Sequence, residues 1–481
     1  MSHNTGVINI MKQKESTSLY LIAIAVFLII AAPALWTDGL FMDGLFYAAI
    51  SKNMAHDLGS FWQPHLSWSR FPQFYEHPPL ALGLQSIWFQ ILGDSLYTER
   101  LYSLFSNAAV GALMVGIWKN IAKSYRYAWL PLLLWALVPV VSWACANNML
   151  ENTMAVFITL SAWLYLKAAS KSGYWWIAAS GVALALALLS KGFVCLYLWS
   201  MPFFAWLVFR NETFGRMVLK TLLMVSSTLL PVFLLFIFSA PAAVNMTEYF
   251  NNQVVGSIQN VATVDSRLAI IWMFGQHILL PLALVLLVLL ISKFYLKNRS
   301  TYEPGAYGRW ALFFNLVMWA GILPIMVSMK QRGFYLVTVY PFLALSLGLL
   351  LLPLLERIKS LGRTGLLWLR VSAVLLTVLA VVFSFLQLGK VGRDKAMLHD
   401  CYAIIEEVGE DQKIGLQKTL HGNYSLHGYL ARYAHISLMM DEGKYRYFLA
   451  RQGRDAPPGY QIVEMDLQVY QLFRKKIANR P

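Results

Sequence analysis

Long apolar runs alternate with short polar segments over the first four fifths of the chain. A helix needs roughly 20 apolar residues to cross the hydrocarbon core of a bilayer, and this spacing recurs throughout the region. The pattern predicts eleven membrane spans, at 18–36, 97–118, 127–146, 152–168, 174–190, 193–210, 217–240, 268–292, 308–328, 333–353 and 365–388. The sequence therefore predicts an all-α polytopic membrane protein.

After Leu388 the chain changes to short apolar runs separated by glycine and charged residues. Such runs predict strands at 414–417, 436–440, 445–449, 460–463 and 469–473, and a helix at 399–408. His421 and His427 fall between these elements and are interpreted as loop residues. We predict a cytoplasmic tail (1–17), a transmembrane domain (18–388) and a small extracytoplasmic α+β domain (389–481).

Composition and charge agree with a membrane protein. The chain is 58% hydrophobic and only 13% charged, whereas soluble domains carry about 25% charged residues. Its net charge of +15 comes from basic residues scattered singly between apolar runs, which excludes a nucleic-acid-binding surface. Basic residues recur in alternate loops and place the N-terminus in the cytoplasm; they include Lys12, Lys14, Lys119, Lys123, Arg126, Arg210, Arg216, Lys220, Arg357 and Arg363. Three cysteines are too few for a disulfide framework or a thiolate metal site.

The first outer loop, residues 37–96, is long for a connection between spans, and such loops are usually functional. Apolar residues recur at helical spacing from Met42 to Met54 and predict an amphipathic helix on the membrane surface. Asp43 would lie in its first turn, where the helix dipole favours an ionised carboxylate. Such a carboxylate suits a general base or an anchor for a substrate hydroxyl, whereas the spacing alone favours a simple helix cap.

A second polar segment in this loop reads Glu76-His77-Pro78-Pro79. The prolines suit the entry of a second surface helix, Leu80 to Leu92, and fix Glu76 and His77 at its start. These two residues could be metal ligands, substrate contacts or a polar helix entry at headgroup level. His277, in the eighth predicted span, could complete a metal site with Glu76 or hydrogen-bond a neighbouring helix.

Three basic residues occupy the membrane face on which topology disfavours them. Lys191, Lys330 and Arg332 end or connect predicted spans on the outer side. They suit binding of a lipid phosphate in the outer leaflet. The alternatives are snorkelling of Lys191 from its helix end and an exposed loop for Lys330 and Arg332.

Together these motifs resemble the bacterial lipid-linked-sugar glycosyltransferases of the GT-C fold, which include protein O-mannosyltransferases and the lipid A aminoarabinose transferase. The resemblance covers about residues 18 to 345. It rests on Asp43-Gly-Leu-Phe-Tyr47, Glu76-His-Pro-Pro-Leu80, Glu99-Arg-Leu101, Ser190-Lys-Gly192, and Lys330-Gln-Arg-Gly-Phe-Tyr335 with Tyr340-Pro341.

The resemblance implies a sugar transferred from a polyprenyl phosphate to a lipid, glycan or protein acceptor outside the bacterial inner membrane. It implies that Asp43 is the catalytic base, in an inverting reaction, and that Glu151 is a second catalytic acid. It places Glu76, His77, Lys191, Lys330, Arg332 and Tyr335 at the substrate and lipid phosphate. A divalent metal at Glu76 and His277 stays open, and no other cofactor is implied.

Two departures from the family pattern affect these implications. Members often carry an Asp-Glu pair where this chain has Asp43-Gly44, and the lipid A branch has lysine at the position of His77. A neutral imidazole is a poorer phosphate ligand than lysine. A transporter or flippase of a lipid-linked or soluble solute is the alternative function, and a non-catalytic relative is a third.

Overall fold

The computed structural model describes residues 2–170, 173–259, 261–295, 305–357 and 361–476. Most of the described chain is helical. The helices before the C-terminal domain are α1 (Ser2–Leu35), α2 (Met42–Ala55), α3 (Leu80–Leu92), α4 (Thr98–Ala122), α5 (Trp129–Ala136), α6 (Pro139–Ala146), α7 (Leu150–Ser170), α8 (Tyr174–Lys191), α9 (Met201–Phe209), α10 (Phe214–Phe238), α11 (Ala240–Tyr249), α12 (Gly256–Gln259), α13 (Ala269–His277), α14 (Leu279–Tyr295), α15 (Gly305–Ile322), α16 (Tyr340–Arg357) and α17 (Arg363–Phe385). Short 3-10 segments at Phe193–Ser200, Leu323–Val327 and Gly333–Val339, and a π-helical turn at Phe250–Val255, join several of them.

The predicted number of eleven spans is not confirmed. By length and composition, seven helices among the described residues can cross a membrane, or up to nine if each of two bent pairs counts as one span. The pairs α5–α6 and α13–α14 bend by 75° and 49°. The predicted span at 193–210 is shorter than a bilayer requires, and the one at 152–168 corresponds to α7, whose buried polar side chains lower its hydropathy.

The helix predicted at the start of the first loop is present as α2, but its predicted environment is wrong. Every residue from Gly44 to Asn53 is buried, including Ser51 and Lys52 on what would be the polar face. The helix is therefore enclosed on both sides and does not lie with one face in water. The predicted surface helix at Leu80 to Leu92 is confirmed as α3.

The C-terminal domain is a five-stranded sheet with two helices. Its elements are α18 (Lys395–Val408), β1 (Lys413–Leu416), α19 (Tyr424–Ala434), β2 (Ser437–Met439), β3 (Tyr447–Arg451), β4 (Tyr460–Ile462) and β5 (Tyr470–Lys475). The strand order is β2-β1-β3-β5-β4; β1 pairs in parallel with β2 and β3, whereas β5 pairs antiparallel with β3 and β4. All five predicted strands are confirmed to within a few residues. The interpretation of His427 as a loop residue is wrong, because it lies in α19.

One hydrophobic core joins the first loop to the C-terminal domain. Leu40, Leu45 and Ala48 are buried together with the apolar side chains of α18, α19 and the sheet. A methyl group added at Gly428 of α19 would lie 2.7 Å from Leu45, so the two helices are in close contact. The helix that carries Asp43 is thus held between the membrane part and the C-terminal domain.

Candidate active site

Asp43 is the second residue of α2, and the start of this helix is fixed by the chain segment that precedes α7. Asn147 accepts the backbone N–H of Phe41 at 2.9 Å, and Asn148 donates to the Gly44 carbonyl at 3.0 Å. Phe41, not Asp43, is the N-cap residue, and the helix start has no side-chain cap hydrogen bond. Among the described residues nothing hydrogen-bonds the Asp43 carboxylate, so the helix-cap alternative has no support.

Gly44 explains why the second acid of the family pattern is missing here. A Cβ at this position would lie 1.8 Å from the Asn147 carbonyl oxygen, well inside van der Waals contact. The backbone before α7 therefore occupies the space that a side chain at position 44 would need. Asp43 is left as the only acid at the start of α2.

Burial and nearby charges act on Asp43 in opposite directions. Burial raises the pKa of the Asp43 carboxyl above its usual value, while the positive charges of Lys191, Arg332 and Lys330 partly offset this. A raised pKa makes a carboxylate a stronger base at neutral pH than an exposed aspartate. The three cations also show that Asp43 faces the basic residues predicted from the sequence.

Glu76 and His77 lie at the entry to α3, as predicted, but their environments differ. Burial raises the pKa of Glu76; Lys330 opposes this rise and Asp43 adds to it, so Glu76 and Asp43 are electrostatically coupled. Burial, Lys191 and Lys330 hold the pKa of His77 well below its usual value. His77 is therefore a neutral imidazole, which contacts the Tyr47 and Tyr249 rings.

Lys191 and Glu151 form a buried ion pair. The Lys191 ammonium donates to Glu151 Oε1, and the exposed fractions are 8% and 0% of the two side chains. Glu151 Oε2 is buried and has no hydrogen-bond partner among the described residues. The two predicted site residues therefore contact each other across α7 and α8.

Gly192 is required where α8 ends. Its φ is +112°, and a Cβ there would lie 1.7 Å from the Tyr249 hydroxyl oxygen. Only glycine adopts this backbone conformation readily and leaves room for the tyrosine. The Ser190-Lys191-Gly192 motif thus places Tyr249 against the backbone of Lys191.

Lys330 and Arg332 project from the segment between α15 and α16. Lys330 donates to Gln253 Oε1 at 2.7 Å and to Ser257 Oγ at 3.4 Å, but to no carboxylate. Arg332 is exposed, and among the described residues it forms neither an ion pair nor a side-chain hydrogen bond. We call Asp43, Glu76, Lys330 and Arg332 the cavity charge cluster; its members act on one another's charge but form no ion pair.

A cavity of about 500 Å³ is lined by one member of this cluster, Lys330, whereas Asp43, Glu76 and Arg332 are not among its lining residues. Its charged and polar lining residues include His77, Glu151, Lys191, Gln253, Lys330 and Tyr335. Its apolar lining residues include Met154, Phe193, Val194, Leu196, Pro324 and Ile325. An apolar groove of about 660 Å³ shares Phe193 with it and continues along α10 and α11. The space suits a molecule with an anionic head and a hydrocarbon tail.

His277, the second residue of the predicted metal pair, is within hydrogen-bond distance of a tyrosine. His277 Nδ1 is 2.6 Å from the Tyr340 hydroxyl, and its ring packs against Gly333. In the parts of the chain that the structure describes, no three His, Cys, Asp or Glu side chains are grouped to hold a metal ion. A metal at Glu76 and His277 would therefore need ligands from outside the protein.

Two amide side chains have structural roles that no motif in the sequence predicted. Asn148, with φ of +53°, contacts Gln85 at 2.5 Å and Ser103 at 3.2 Å besides Gly44, and so links α2, α3 and α4. Gln253 holds Lys330 in the cavity wall. The only signal was indirect: Asn148 precedes Glu151 closely, and Gln253 lies in an amide-rich loop.

A second group of charges, which also includes a residue of α2, is joined by ion pairs. Arg432 of α19 donates to Asp94 and, at 2.9 Å, to Glu99, while Lys52 lies 2.5 Å from Asp94. Only 1% of the Arg432 and Glu99 side chains and 3% of Lys52 is exposed. We call these four residues the interface ion-pair network, because they join α2 and α4 to the C-terminal domain.

The fold defines the class: a polytopic membrane protein with the GT-C fold. Residues 76–240, about a third of the chain, match the family model described as dolichyl-phosphate-mannose-protein mannosyltransferase. This segment contains Glu76, His77, Glu151 and Lys191. A comparison with curated protein sequences gives no match.

Among solved structures, the chain is similar to ArnT from Cupriavidus metallidurans bound to undecaprenyl phosphate, with a TM-score of 0.63, 14% identity, and coverage of 94% of this chain and 97% of ArnT. The structure of ArnT in the apo state matches with a TM-score of 0.62 and the same identity and coverage. The Archaeoglobus fulgidus oligosaccharyltransferase in complex with Zn and sulfate matches with a TM-score of 0.52 and 12% identity. This match covers 90% of this chain and 68% of the oligosaccharyltransferase chain. The predicted fold class and the resemblance drawn from the motifs are confirmed.

Proposed function

We propose that the protein is a glycosyltransferase that moves a sugar from a polyprenyl-phosphate donor to a lipid, glycan or protein acceptor outside the bacterial inner membrane. The observation that carries this proposal is the cavity, whose lining combines basic and polar side chains with apolar ones; two of its cations, Lys191 and Lys330, act on the charge of Asp43. ArnT, whose fold this chain shares, has been solved with undecaprenyl phosphate. The apolar part and the adjoining groove would hold the isoprenoid chain.

The basic residues would hold the donor phosphate. Among the residues that the structure describes, Lys330 and Arg332 have no carboxylate partner, so their charges are available to an anion. Arginine can bind a phosphate through two parallel hydrogen bonds. Lys191 is paired with Glu151, which would fix its ammonium at the cavity wall and leave its remaining N–H groups to reach the phosphate.

The chemistry would be a single displacement with inversion. Asp43 accepts the proton of the acceptor hydroxyl or amine as that group attacks the anomeric carbon. The bond between this carbon and the phosphate oxygen breaks, and the negative charge that develops on the polyprenyl phosphate is stabilised by Lys330 and Arg332. Tyr335 lines the cavity and would contact the sugar or phosphate; neutral His77 would form part of the wall.

The test is sugar transfer from defined polyprenyl-phosphate donors by the purified protein. Asp43→Asn keeps the size of the side chain and removes the base, and we expect a loss of about 10²–10⁴-fold in kcat with little change in stability. Asp57→Asn is the matched control, because Asp57 is an exposed acid of the same loop. Wild-type activity in Asp43→Asn would exclude Asp43 as the base. Movement of a solute across liposomes with no consumption of any donor would instead identify a transporter.

A further inference from the structure

Another cavity, with two basic residues in its lining, lies at the opposite end of the transmembrane domain. It has a volume of about 410 Å³ and is lined by Gln13, Lys14, Thr17, Ser18 and Leu21 of α1 and by Arg370 and Val374 of α17. The two helices run parallel, and an isolated bridge between Asp38 and Val391 joins the chain just beyond their far ends. At a rise of 1.5 Å per residue, Lys14 lies about 30 Å along α1 from the end of that helix at Leu35. The cavity is therefore remote from Asp43.

Arg370 is unusual because it lies inside an apolar span. It follows the start of α17 at Arg363 by two helical turns, about 10 Å, and is flanked by leucine and valine. An arginine at this depth is costly unless it has an anionic or polar partner. Among the described residues neither the Arg370 guanidinium nor the Lys14 ammonium has an ion pair or hydrogen bond.

The acid nearest in sequence does not neutralise these cations. Glu15 lies 3.7 Å from Arg126, which is in the turn between α4 and α5. The Ser18 and Thr17 hydroxyls donate to carbonyls of their own helix, so only their oxygen lone pairs face the cavity. No carboxylate is among the described residues that line it. Two cations that line one cavity and have no carboxylate partner among the described residues can bind an anion from outside the protein.

We propose that this cavity binds the phosphate group of an anionic phospholipid of the leaflet opposite the candidate active site. Lys14 and Arg370 would bind the phosphate, and the hydrocarbon chains would follow Leu21 and Val374 towards the bilayer centre. Basic pockets between membrane helices bind anionic headgroups in this way. A lipid is favoured over free phosphate because the cavity lies between two spans and continues into apolar side chains.

Binding of phosphatidylglycerol to the purified full-length protein in detergent tests this site. Native mass spectrometry counts the bound lipid, and phosphatidylcholine with the same acyl chains is the comparison lipid. We expect the affinity for phosphatidylglycerol to fall about fivefold for Lys14→Gln or Arg370→Gln and about 25-fold for the double variant. Arg370→Lys should keep most of the binding because it keeps the charge.

Arg363→Gln is the control, since it removes an exposed arginine from the start of the same helix. Unchanged binding by the double variant would overturn the proposal, and so would an equal loss in Arg363→Gln. Inorganic phosphate that displaces the lipid at equal concentration would overturn the choice of a lipid as ligand. The readout does not depend on enzyme activity, so it stands apart from the proposed function.

Discussion

The cavity charge cluster and the interface ion-pair network each contain one aspartate, one glutamate, one lysine and one arginine, and each has one residue on α2. In the network, Asp94, Glu99, Lys52 and Arg432 are joined by ion pairs. In the cluster, no oxygen of Asp43 or Glu76 lies within ion-pair distance of Lys330 or Arg332. The same four residue types therefore neutralise one another in the network but not in the cluster.

The difference separates charges that hold the fold from charges available to a ligand. Buried ions that satisfy one another fix the position of two elements, here α2 and α19. Cations without a carboxylate partner, next to carboxyls whose pKa values are raised, are typical of a binding or catalytic site. Loss of a network charge should therefore reduce stability, and loss of a cluster charge should reduce activity.

The largest stability effect is expected in the network. Arg432→Met removes a charge of which 1% is exposed and leaves Glu99 buried without its partner. Breaking such a pair costs about 3–5 kcal/mol of unfolding free energy. Arg454→Met, which removes an exposed ion pair with Glu442 in the same domain, should cost no more than about 1 kcal/mol. Equal thermal unfolding midpoints for the two variants would contradict a structural role for the network.

A smaller effect, on activity alone, is expected for the cations of the cluster. Lys330→Gln and Arg332→Gln should each reduce kcat/KM for the polyprenyl-phosphate donor by about 10–100-fold, because each removes a charged hydrogen bond to phosphate. Their unfolding midpoints should match the wild type, since neither cation has an ion pair to lose. Lower midpoints with an unchanged kcat/KM would assign these residues to the fold.

The smallest effect is a shift in pH dependence. Asp43 must be ionised to act as a base, so activity should fall as the pH drops through its pKa, which burial has raised. Lys330 and Arg332 lower that pKa, and their removal should move the acid limb of kcat to higher pH. Lys418→Gln, an exposed lysine of the C-terminal domain, should leave the limb in place. If the acid limb of kcat moves to lower pH in Lys330→Gln, the group that titrates in this limb is not Asp43.

Much of the fold could be predicted because its signals are local. The strands of the C-terminal domain and helices α2 and α3 follow from apolar periodicity and proline positions. The bends of 75° between α5 and α6 and of 49° between α13 and α14 could not be predicted, because hydropathy reports the length of an apolar run and not its direction. Helix α19 was missed because its identity depends on packing against α2 rather than on a strong local pattern.

The acids of the first loop show the same limit at the level of the site. Asp38 accepts hydrogen bonds of 2.5 Å from the Tyr402 and Tyr433 hydroxyls, and Asp94 and Glu99 pair with Arg432. Their partners lie more than 300 residues away in sequence. Once these pairs are known, the acids of this loop without a side-chain partner among the described residues are Asp43, Glu76 and Asp57, and of these only Asp57 is exposed.

The sequence by itself determined the membrane class, the GT-C resemblance and the residues able to supply a base and bind phosphate, because composition, apolar run lengths and motif order are properties of the chain. The tertiary structure alone decided which charges neutralise one another, why Gly44 cannot be an acid and that His77 is neutral. Pairing, steric exclusion and burial each depend on groups that folding brings together from distant parts of the chain.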